Sequence, residues 1–202
     1  MSMDKNDIRQ IIRKARREQS ADERKARSSE IMFNLFSLYE LSGDRIKGLN
    51  VASFKSFDGE PEMDEISSRL ISMGAGCFFP AISDGGIIMS RTGDFDANGK
   101  AFIHGKLGIL EPAVHESGFV KMDIVLIPGI AFSVNGDRIG FGKGYYDKYL
   151  TKYLPGKLPL LIAPVFDFQI TDGFISEPHD IPVDVIVSEL RVIHTNSGRG
   201  IL

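Results

Sequence analysis

The chain has 202 residues, of which 43% are hydrophobic, and its formal net charge at pH 7 is −3. This size allows one domain with a full core, and the charge gives no reason to expect nucleic acid or an anionic membrane as a partner. The single cysteine, Cys77, excludes an intrachain disulfide framework and a zinc site built from cysteines.

The N-terminal sequence MSMDKNDIRQIIRKARREQ is charged from its start and lacks the apolar core of a secretory signal. No other part of the chain approaches the ~20 consecutive apolar residues that span a bilayer. We therefore expect a cytoplasmic protein that has no membrane partner.

Two helices are predicted near the N-terminus. The first has isoleucines at helical spacing and a basic stripe on another face, formed by Lys5, Arg9, Arg13 and Arg16. Such a stripe is ordinarily a solvated helix face. The second helix begins at Ser20-Ala21-Asp22-Glu23, which has the Ser-x-x-Glu form of a capping box.

Strands and helices alternate through the middle of the chain. GLNVASF predicts a strand at 48–54, a helix follows within 61–73 and begins near Glu62, and further strands are predicted at 76–82 and 86–91. Residues from about Thr92 to Gly118 are rich in glycine, proline and polar residues. They indicate a long surface excursion rather than a second domain.

The second half of the chain repeats the alternation. DIVLIPGIAF predicts one strand at 123–132, followed by a helix at 145–154, a strand at 159–166 and one or two strands between 184 and 195. These strands are rich in valine, isoleucine and leucine on both faces. The pattern predicts one α/β domain over 1–202, with three layers (α/β/α) and a mainly parallel open sheet.

A glycine-rich segment lies before the last predicted helix. Gly140, Gly142 and Gly144 occupy alternate positions, with Arg138 before them and Lys143 among them. Glycines let backbone N–H groups approach an anion, the two basic residues add positive charge, and a following helix N-terminus would add more. The segment is therefore a candidate cradle for nucleotide phosphates, although its spacing matches neither a Walker loop nor a Rossmann fingerprint.

Three acidic residues are secondary candidates. Asp184 stands at the entry of a predicted strand, where a carboxylate is usually a turn or cap residue. Paired with Asp147 it could instead complete the oxygen ligands of Mg²⁺, which takes few carboxylates and several phosphate or water oxygens. Glu62 is by default a first-turn acid favoured by the helix dipole.

Several segments resemble, in order, the 5-formyltetrahydrofolate cyclo-ligase family, also called 5,10-methenyltetrahydrofolate synthetase. GDRIGFGKGYYDKYL, preceded by LIPGIAF, is similar to the family signature. Four further segments match its opening helices, acidic turn, Glu-Pro element and closing region: RREQSADERKARSSEI, SFDGEPEMDEI, GKLGILEP and FDFQITDGFISEPHDIPVDVIVSE. The tail after about residue 190 lies outside the resemblance.

The resemblance implies a reaction and a set of partners. The family converts 5-formyltetrahydrofolate to 5,10-methenyltetrahydrofolate with ATP and Mg²⁺, and releases ADP and phosphate. We therefore expect 5-formyltetrahydrofolate and ATP as partners. We also expect a fold like that of NagB, RpiA and CoA transferases, and a monomer or weak homodimer.

The resemblance also implies roles for individual residues. ATP would contact Lys5, Arg9, Arg138, Ile139, Gly140, Phe141, Gly142, Lys143, Gly144, Tyr145 and Tyr146. The folate would contact Phe57, Glu62, Phe141, Gly142, Lys143, Gly144 and Tyr145. Lys143, Arg138 and Arg9 would carry catalysis, and Asp147 and Asp184 would be the metal-associated acids.

Two residues depart from the family pattern. Ser133 stands where relatives commonly have aspartate, and Phe141 stands where they often have arginine or tyrosine. Two other functions stay open: a small-molecule kinase on the same scaffold, and a folate- or nucleotide-binding protein without catalysis. Pure binding would not need the metal acid Asp147, which argues against the second.

Overall fold

The computed structural model describes residues 3–83, 86–92, 101–105, 108–113, 118–153, 156–174, 177 and 180–196. Its four α-helices are α1 (Lys5–Glu18), α2 (Ala21–Phe36), α3 (Asp64–Ser72) and α4 (Tyr145–Leu150). Short 3₁₀ helices cover Tyr39–Leu41, Gly43–Ile46, Thr151–Tyr153 and Asp167–Gln169.

The strands form one large sheet and two small ones. In chain order they are β1 (Asn50–Ala52), β2 (Gly76–Ser83), β3 (Gly86–Arg91), β4 (Phe102–His104), β5 (Leu110–Pro112), β6 (Ile124–Leu126), β7 (Ala131–Phe132), β8 (Arg138–Ile139), β9 (Leu160–Pro164), β10 (Val185–Val187) and β11 (Val192–His194). The large sheet has seven strands in the order β11-β10-β9-β6-β1-β2-β3. Its five inner strands are parallel and both edge strands are antiparallel, which confirms the mainly parallel α/β sheet.

Alternate residues of the inner strands bury opposite faces of the sheet. Val51 packs in the core beneath α2 and α3, whereas its neighbour Ala52 packs in the core beneath α4. Ile124 and Val125 of β6 divide in the same way. Because both faces are covered, the strands read as continuous apolar runs.

The helix starts agree closely with the sequence pattern. Ser20 and Glu23 form the predicted capping box, in which each residue accepts a hydrogen bond from the backbone N–H of the other. The helix predicted from near Glu62 begins at Asp64, with Met63 as its N-cap residue. On α1, Ile8 and Ile12 are buried whereas Ile11 is exposed.

The segment 123–132 was predicted as one strand, and the structure corrects this. β6 ends at Leu126, the chain turns at Pro128-Gly129, and β7 then pairs antiparallel with β8. Proline has no N–H for a sheet ladder. A side chain at Gly129 would collide with the ring of Phe132, so glycine permits the close turn.

The predicted surface excursion contains regular structure. β4 and β5 pair antiparallel within it, and β5 packs against β2. Residues 93–100, 106–107 and 114–117 of that excursion, and the last residue of the predicted 145–154 helix, lie outside the described residues. Beyond residue 190, β11 adds an edge strand to the large sheet.

None of the helices described here is long and apolar enough to cross a bilayer.

Candidate active site

A cleft of about 800 Å³ lies at the carboxyl ends of β1, β2 and β6. Open α/β sheets commonly bind ligands at this edge. Phe54 and Lys55 follow β1 into the cleft, and Pro128 follows β6. Most of the predicted site residues line it: Lys5, Arg9, Phe57, all nine residues of 138–146, and Asp147.

Three residues of the basic stripe of α1, Lys5, Arg9 and Arg13, line this cleft. The Lys5 ammonium lies 3.1 Å from the Glu177 carboxylate and 3.7 Å from that of Asp180. The Arg9 Nε donates a hydrogen bond of 3.0 Å to the carbonyl oxygen of Gly140. The stripe is thus not a solvated face, because α1 docks its basic side directly on the glycine loop.

The glycine loop depends on its glycines for two different reasons. Gly142 and Gly144 have φ angles of +94° and +63°, in the left-handed region that side chains disfavour. A Cβ at Gly140 would lie 3.0 Å from the Arg138 guanidinium, so that glycine permits a close approach. Lys143 projects from the loop and is exposed.

Arg138 is anchored within the cleft wall. Its Nη2 donates a 2.8 Å hydrogen bond to Asp147 Oδ1, and its side chain is 7% exposed. Asp147 is therefore the ion-pair partner of Arg138 on α4. Because α4 has only six residues, we assign the anion-binding potential to the loop amides and cations rather than to a helix dipole.

Glu60 is a cleft carboxylate that was not among the predicted site residues. It is 4% exposed, its Oε2 accepts the Phe57 N–H at 3.1 Å, and its Oε1 receives no hydrogen bond from the described residues. Burial raises the pKa of Glu60 to about 7, although the Arg16 guanidinium at 3.8 Å opposes the rise. The available signal was its position between Gly59 and Pro61, since proline holds the preceding residue extended.

Arg16 and Tyr146 complete the surroundings of Glu60. Arg16 is 1% exposed and donates to the carbonyl oxygen of Gly129, and burial lowers its pKa. Burial and the Glu60 carboxylate both raise the pKa of the Tyr146 hydroxyl. That hydroxyl has no hydrogen-bond partner in the described part of the chain. Two cleft-lining polar atoms, the Glu60 Oε1 and the Tyr146 hydroxyl, therefore have no hydrogen-bond partner among the described residues.

Glu62 does not line the cleft. Its backbone N–H donates to Ser28 Oγ at 2.9 Å, and its Oε1 lies 3.4 Å from Arg24 Nε. Both partners belong to α2. The placement does not support the predicted contact of Glu62 with the folate, and Glu60, two residues earlier, is the carboxylate that reaches the cleft.

Asp184 lies at the other end of the sheet. It is 4% exposed and accepts the Leu161 N–H at 2.8 Å, at the amino ends of β9 and β10. Asp147 lines the cleft and Asp184 does not, so the placement does not support the predicted metal pair. Across the described residues, no group of three or more His, Cys, Asp or Glu side chains could hold a metal ion.

The two departures from the family pattern have local explanations. The centroids of the Phe141 and Phe57 rings are 6.3 Å apart. The guanidinium carbon of Arg13 lies 5.7 Å from the centroid of the Phe141 ring. Phe141 therefore links the glycine loop to α1 and to the acidic turn. Ser133 donates to Asp137 Oδ2 at 2.8 Å and organises the β7–β8 turn.

A family model and a curated relative both match this chain and name the same family. A family model described as the 5-formyltetrahydrofolate cyclo-ligase family matches residues 1–189. A Caenorhabditis elegans protein named probable 5-formyltetrahydrofolate cyclo-ligase is 30% identical over 151 residues, which are 69% of this chain and 72% of that protein.

Two solved structures are similar over nearly the whole chain. The NMR structure of Aquifex aeolicus 5,10-methenyltetrahydrofolate synthetase has a TM-score of 0.77 and 28% identity, and covers 99% of this chain and 97% of its own. The Mycoplasma pneumoniae 5,10-methenyltetrahydrofolate synthetase has a TM-score of 0.70 and 26% identity, over 93% and 99% of the two chains.

Proposed function

The chain belongs to the 5-formyltetrahydrofolate cyclo-ligase family, and from this premise we propose that its cleft converts 5-formyltetrahydrofolate and ATP into 5,10-methenyltetrahydrofolate, ADP and phosphate. One observation carries the proposal. Arg9 of α1 bonds the carbonyl of Gly140, so the basic helix face and the glycine loop meet in one cleft. A phosphate donor and an uncharged heterocycle can both be held there.

The reaction needs activation of an amide. The γ-phosphoryl group moves from ATP to the formyl oxygen, which leaves an electrophilic iminium carbon. N10 of the folate attacks this carbon, the carbon–oxygen bond breaks with phosphate as leaving group, and the N10 proton is released. The ring closure is intramolecular, so holding N10 near the activated carbon supplies much of the rate.

The cationic side of the cleft suits the phosphoryl transfer. Such transfers depend on positioning and on stabilising charge over the moving group. Arg9 and Arg138 are held rigidly by Gly140 and Asp147, whereas Lys143 is exposed on the loop and free to follow the phosphate. We assign catalysis to these three cations, and the ATP contacts to Lys5 and the loop 138–146.

We assign the folate to the aromatic and acidic wall. The rings of Phe57 and Phe141 flank the cleft, and the Oε1 of Glu60, which lies 3.8 Å from Arg16 and receives no hydrogen bond from the described residues, can accept an N–H of the pterin ring. In its ionised form the Glu60 carboxylate is an acceptor only, so it selects for donor groups. Glu60 replaces Glu62 in this role, with Gly142, Lys143, Gly144 and Tyr145 bordering the same ligand.

Magnesium would arrive with ATP. It is usually held by one or two carboxylates together with substrate phosphates, and Asp147 is a cleft carboxylate that fits this requirement. The ion would neutralise phosphate charge. We expect Asp147→Asn to raise the Mg²⁺ concentration for half-maximal rate severalfold, and Asp184→Asn to leave it unchanged. Initial rates measured over a range of Mg²⁺ concentrations give this value for both variants. An equal increase in both would support the predicted metal pair of Asp147 and Asp184.

We also propose the finer fold assignment. Five parallel strands between antiparallel edges, with helices on both faces, support a single domain of the kind found in NagB, RpiA and CoA transferases. A monomer or weak homodimer is our expectation for its assembly.

One assay tests the proposed function. The protein is mixed with MgATP and 5-formyltetrahydrofolate, and the near-ultraviolet absorbance of the methenyl product is followed. We expect ATP-dependent product. Folate binding without turnover would instead favour a sequestering protein, and ATP consumption on another substrate would favour a kinase.

A further inference from the structure

We propose that Glu111 is a second recognition carboxylate for the pterin ring, and that it determines which heterocycle the cleft accepts. This inference rests on the proposed function, because it names a specificity residue of the same cleft. Glu111 belongs to β5 of the small sheet, not to any element that carries the cations.

The Glu111 side chain is held as a half-satisfied acceptor. It lines the cleft and is 5% exposed. Its Oε2 accepts the Ile82 N–H at 3.0 Å, which fixes the orientation of the carboxylate. Its Oε1 is buried and receives no hydrogen bond within the described ranges. Buried polar atoms are nearly always satisfied, so an unfilled one on a cleft wall indicates a ligand donor.

Gly105 shows that space is kept for this carboxylate. A Cβ at Gly105 would overlap Oε1 and the carboxyl carbon of Glu111. The φ angle of Gly105 is not in the left-handed region, so backbone conformation does not explain the glycine. The missing side chain instead lets the Glu111 carboxylate lie against the backbone of the neighbouring strand segment.

The surroundings of Glu111 select a neutral ligand. Ile82, its hydrogen-bond donor, and Ile87, the partner of Ile82 on β3, both line the cleft, as does Ile109 two residues before Glu111. A carboxylate among apolar side chains repels phosphate and accepts N–H groups from an uncharged ring. The phosphates therefore belong with the cations of α1 and the glycine loop.

Of the two heterocycles in the reaction, the pterin fits better. Glu60 and Glu111 each have one oxygen held by a backbone N–H and one oxygen without a hydrogen bond from the described residues, and in Glu60 that second oxygen lies 3.8 Å from the Arg16 guanidinium. A reduced pterin carries amino, N3–H and N8–H donors along its edge, whereas adenine has one amino group flanked by ring acceptors. Two carboxylates in one cleft match the ligand with several separate donors.

The test uses the full chain and the Glu111→Gln variant. The amide keeps an acceptor for the Ile82 N–H but also presents a donor, so one side of the pterin contact is lost. We expect KM for 5-formyltetrahydrofolate, and its dissociation constant without ATP, to rise about 10- to 100-fold. KM for ATP should stay within about twofold of the wild-type value.

A matched control separates the site from a general loss of charge. Glu189 also accepts a backbone N–H, that of Asp167 at 2.8 Å, but it lies outside the cleft lining. Glu189→Gln should leave both KM values unchanged. If Glu111→Gln does not fold, Gly105→Ala provides the second test, because its methyl group would displace the whole Glu111 carboxylate. Folate binding should weaken, and KM for ATP should stay within about twofold of the wild-type value.

The outcomes are distinct. Unchanged folate binding in the folded variant, or a rise in KM for ATP alone, would overturn the inference. If the wild-type protein binds the folate but forms no methenyl product, the proposed activity fails, and the binding comparison still decides the role of Glu111. A wild-type protein that binds no folate would overturn both.

Discussion

The glycine loop at 138–146 and the acidic turn at 56–62 contribute to the same cleft with opposite physical means. The loop offers the exposed Lys143 beside Arg138, which is anchored in the cleft wall by Asp147. The turn offers a carboxylate that is nearly inaccessible to water, held by the Phe57 N–H and near Arg16. The Phe57 and Phe141 rings join the two regions.

This contrast separates two ways of binding. A flexible exposed cation follows a charged group as it moves, and its removal costs activity rather than stability. A buried carboxylate is set in place by folding, so its removal changes both ligand recognition and the stability of the fold. The predictions below probe that division.

The largest effect is expected for Lys143→Ala on the loop. Loss of a cation that follows the transferred phosphoryl group should lower ATP-dependent turnover roughly 100- to 1,000-fold. The melting temperature should be unchanged, because the side chain is exposed. Turnover assays and thermal melts measure the two effects. Lys152→Ala, an exposed lysine outside the cleft lining, is the control, and equal activity of both variants would contradict the loop's role.

Glu60→Gln tests the turn in the same assay. We expect kcat/KM for the folate to fall roughly 10- to 100-fold, because an amide donor replaces half of the acceptor pair. The dissociation constant for ATP should change little, since the phosphates lie with the cations. Initial rates at varied folate and equilibrium binding of ATP measure these quantities. A loss of ATP binding of similar size would contradict the assignment of the phosphates to the loop and of the folate to the turn.

The pH dependence of stability gives a second test of Glu60. Its pKa is raised from 4.5 to about 7 in the folded protein, so the native state binds the proton more tightly than the unfolded state. Between these values wild-type stability should fall as pH rises, by on the order of 3 kcal/mol. Glu60→Gln lacks this loss. Urea unfolding of both proteins at pH 5 and pH 8 measures their free energies of unfolding. The free energy of the variant relative to that of the wild type should be higher at pH 8 than at pH 5.

The smallest effect is expected for Glu62→Gln. This residue differs from Glu60 by two positions, but its carboxylate contacts the half-exposed Arg24 outside the cleft. Exposed ion pairs contribute about 0–1 kcal/mol, so folate kinetics should stay within about twofold of wild type. Steady-state kinetics beside Glu60→Gln make the comparison, and an equal loss in both variants would assign the folate contact to Glu62 after all.

Local chemistry made much of this protein predictable. The capping box at Ser20 and Glu23, the apolar periods of the helices and the valine- and isoleucine-rich strands all depend on neighbours in sequence. The left-handed backbone at Gly142 and Gly144 is likewise a local property that favours glycine. The reaction itself was predicted from the family resemblance of the glycine-rich segment and four further segments.

The errors occurred where side-chain direction depends on distant contacts. Whether Glu60 or Glu62 reaches the cleft is decided by the left-handed turn at Asp58 and Gly59, with φ angles of +48° and +73°, and by the packing of Gly59 against Arg16 of α1. Glu62 is drawn instead to Ser28 and Arg24 of α2. The spacing of residues along the chain does not predict which of the two carboxylates reaches the cleft.

Hydrophobic period and capping are local properties, so the residue pattern was enough to predict most helices and the strands of the mainly parallel sheet. Three arrangements are visible only in the folded chain: the basic face of α1 meets the loop, Asp184 lies at the amino ends of β9 and β10 away from the cleft, and Glu60 and Glu111 line the same cleft. These depend on strand order and on the docking of helices, which arise from contacts between residues far apart in the chain.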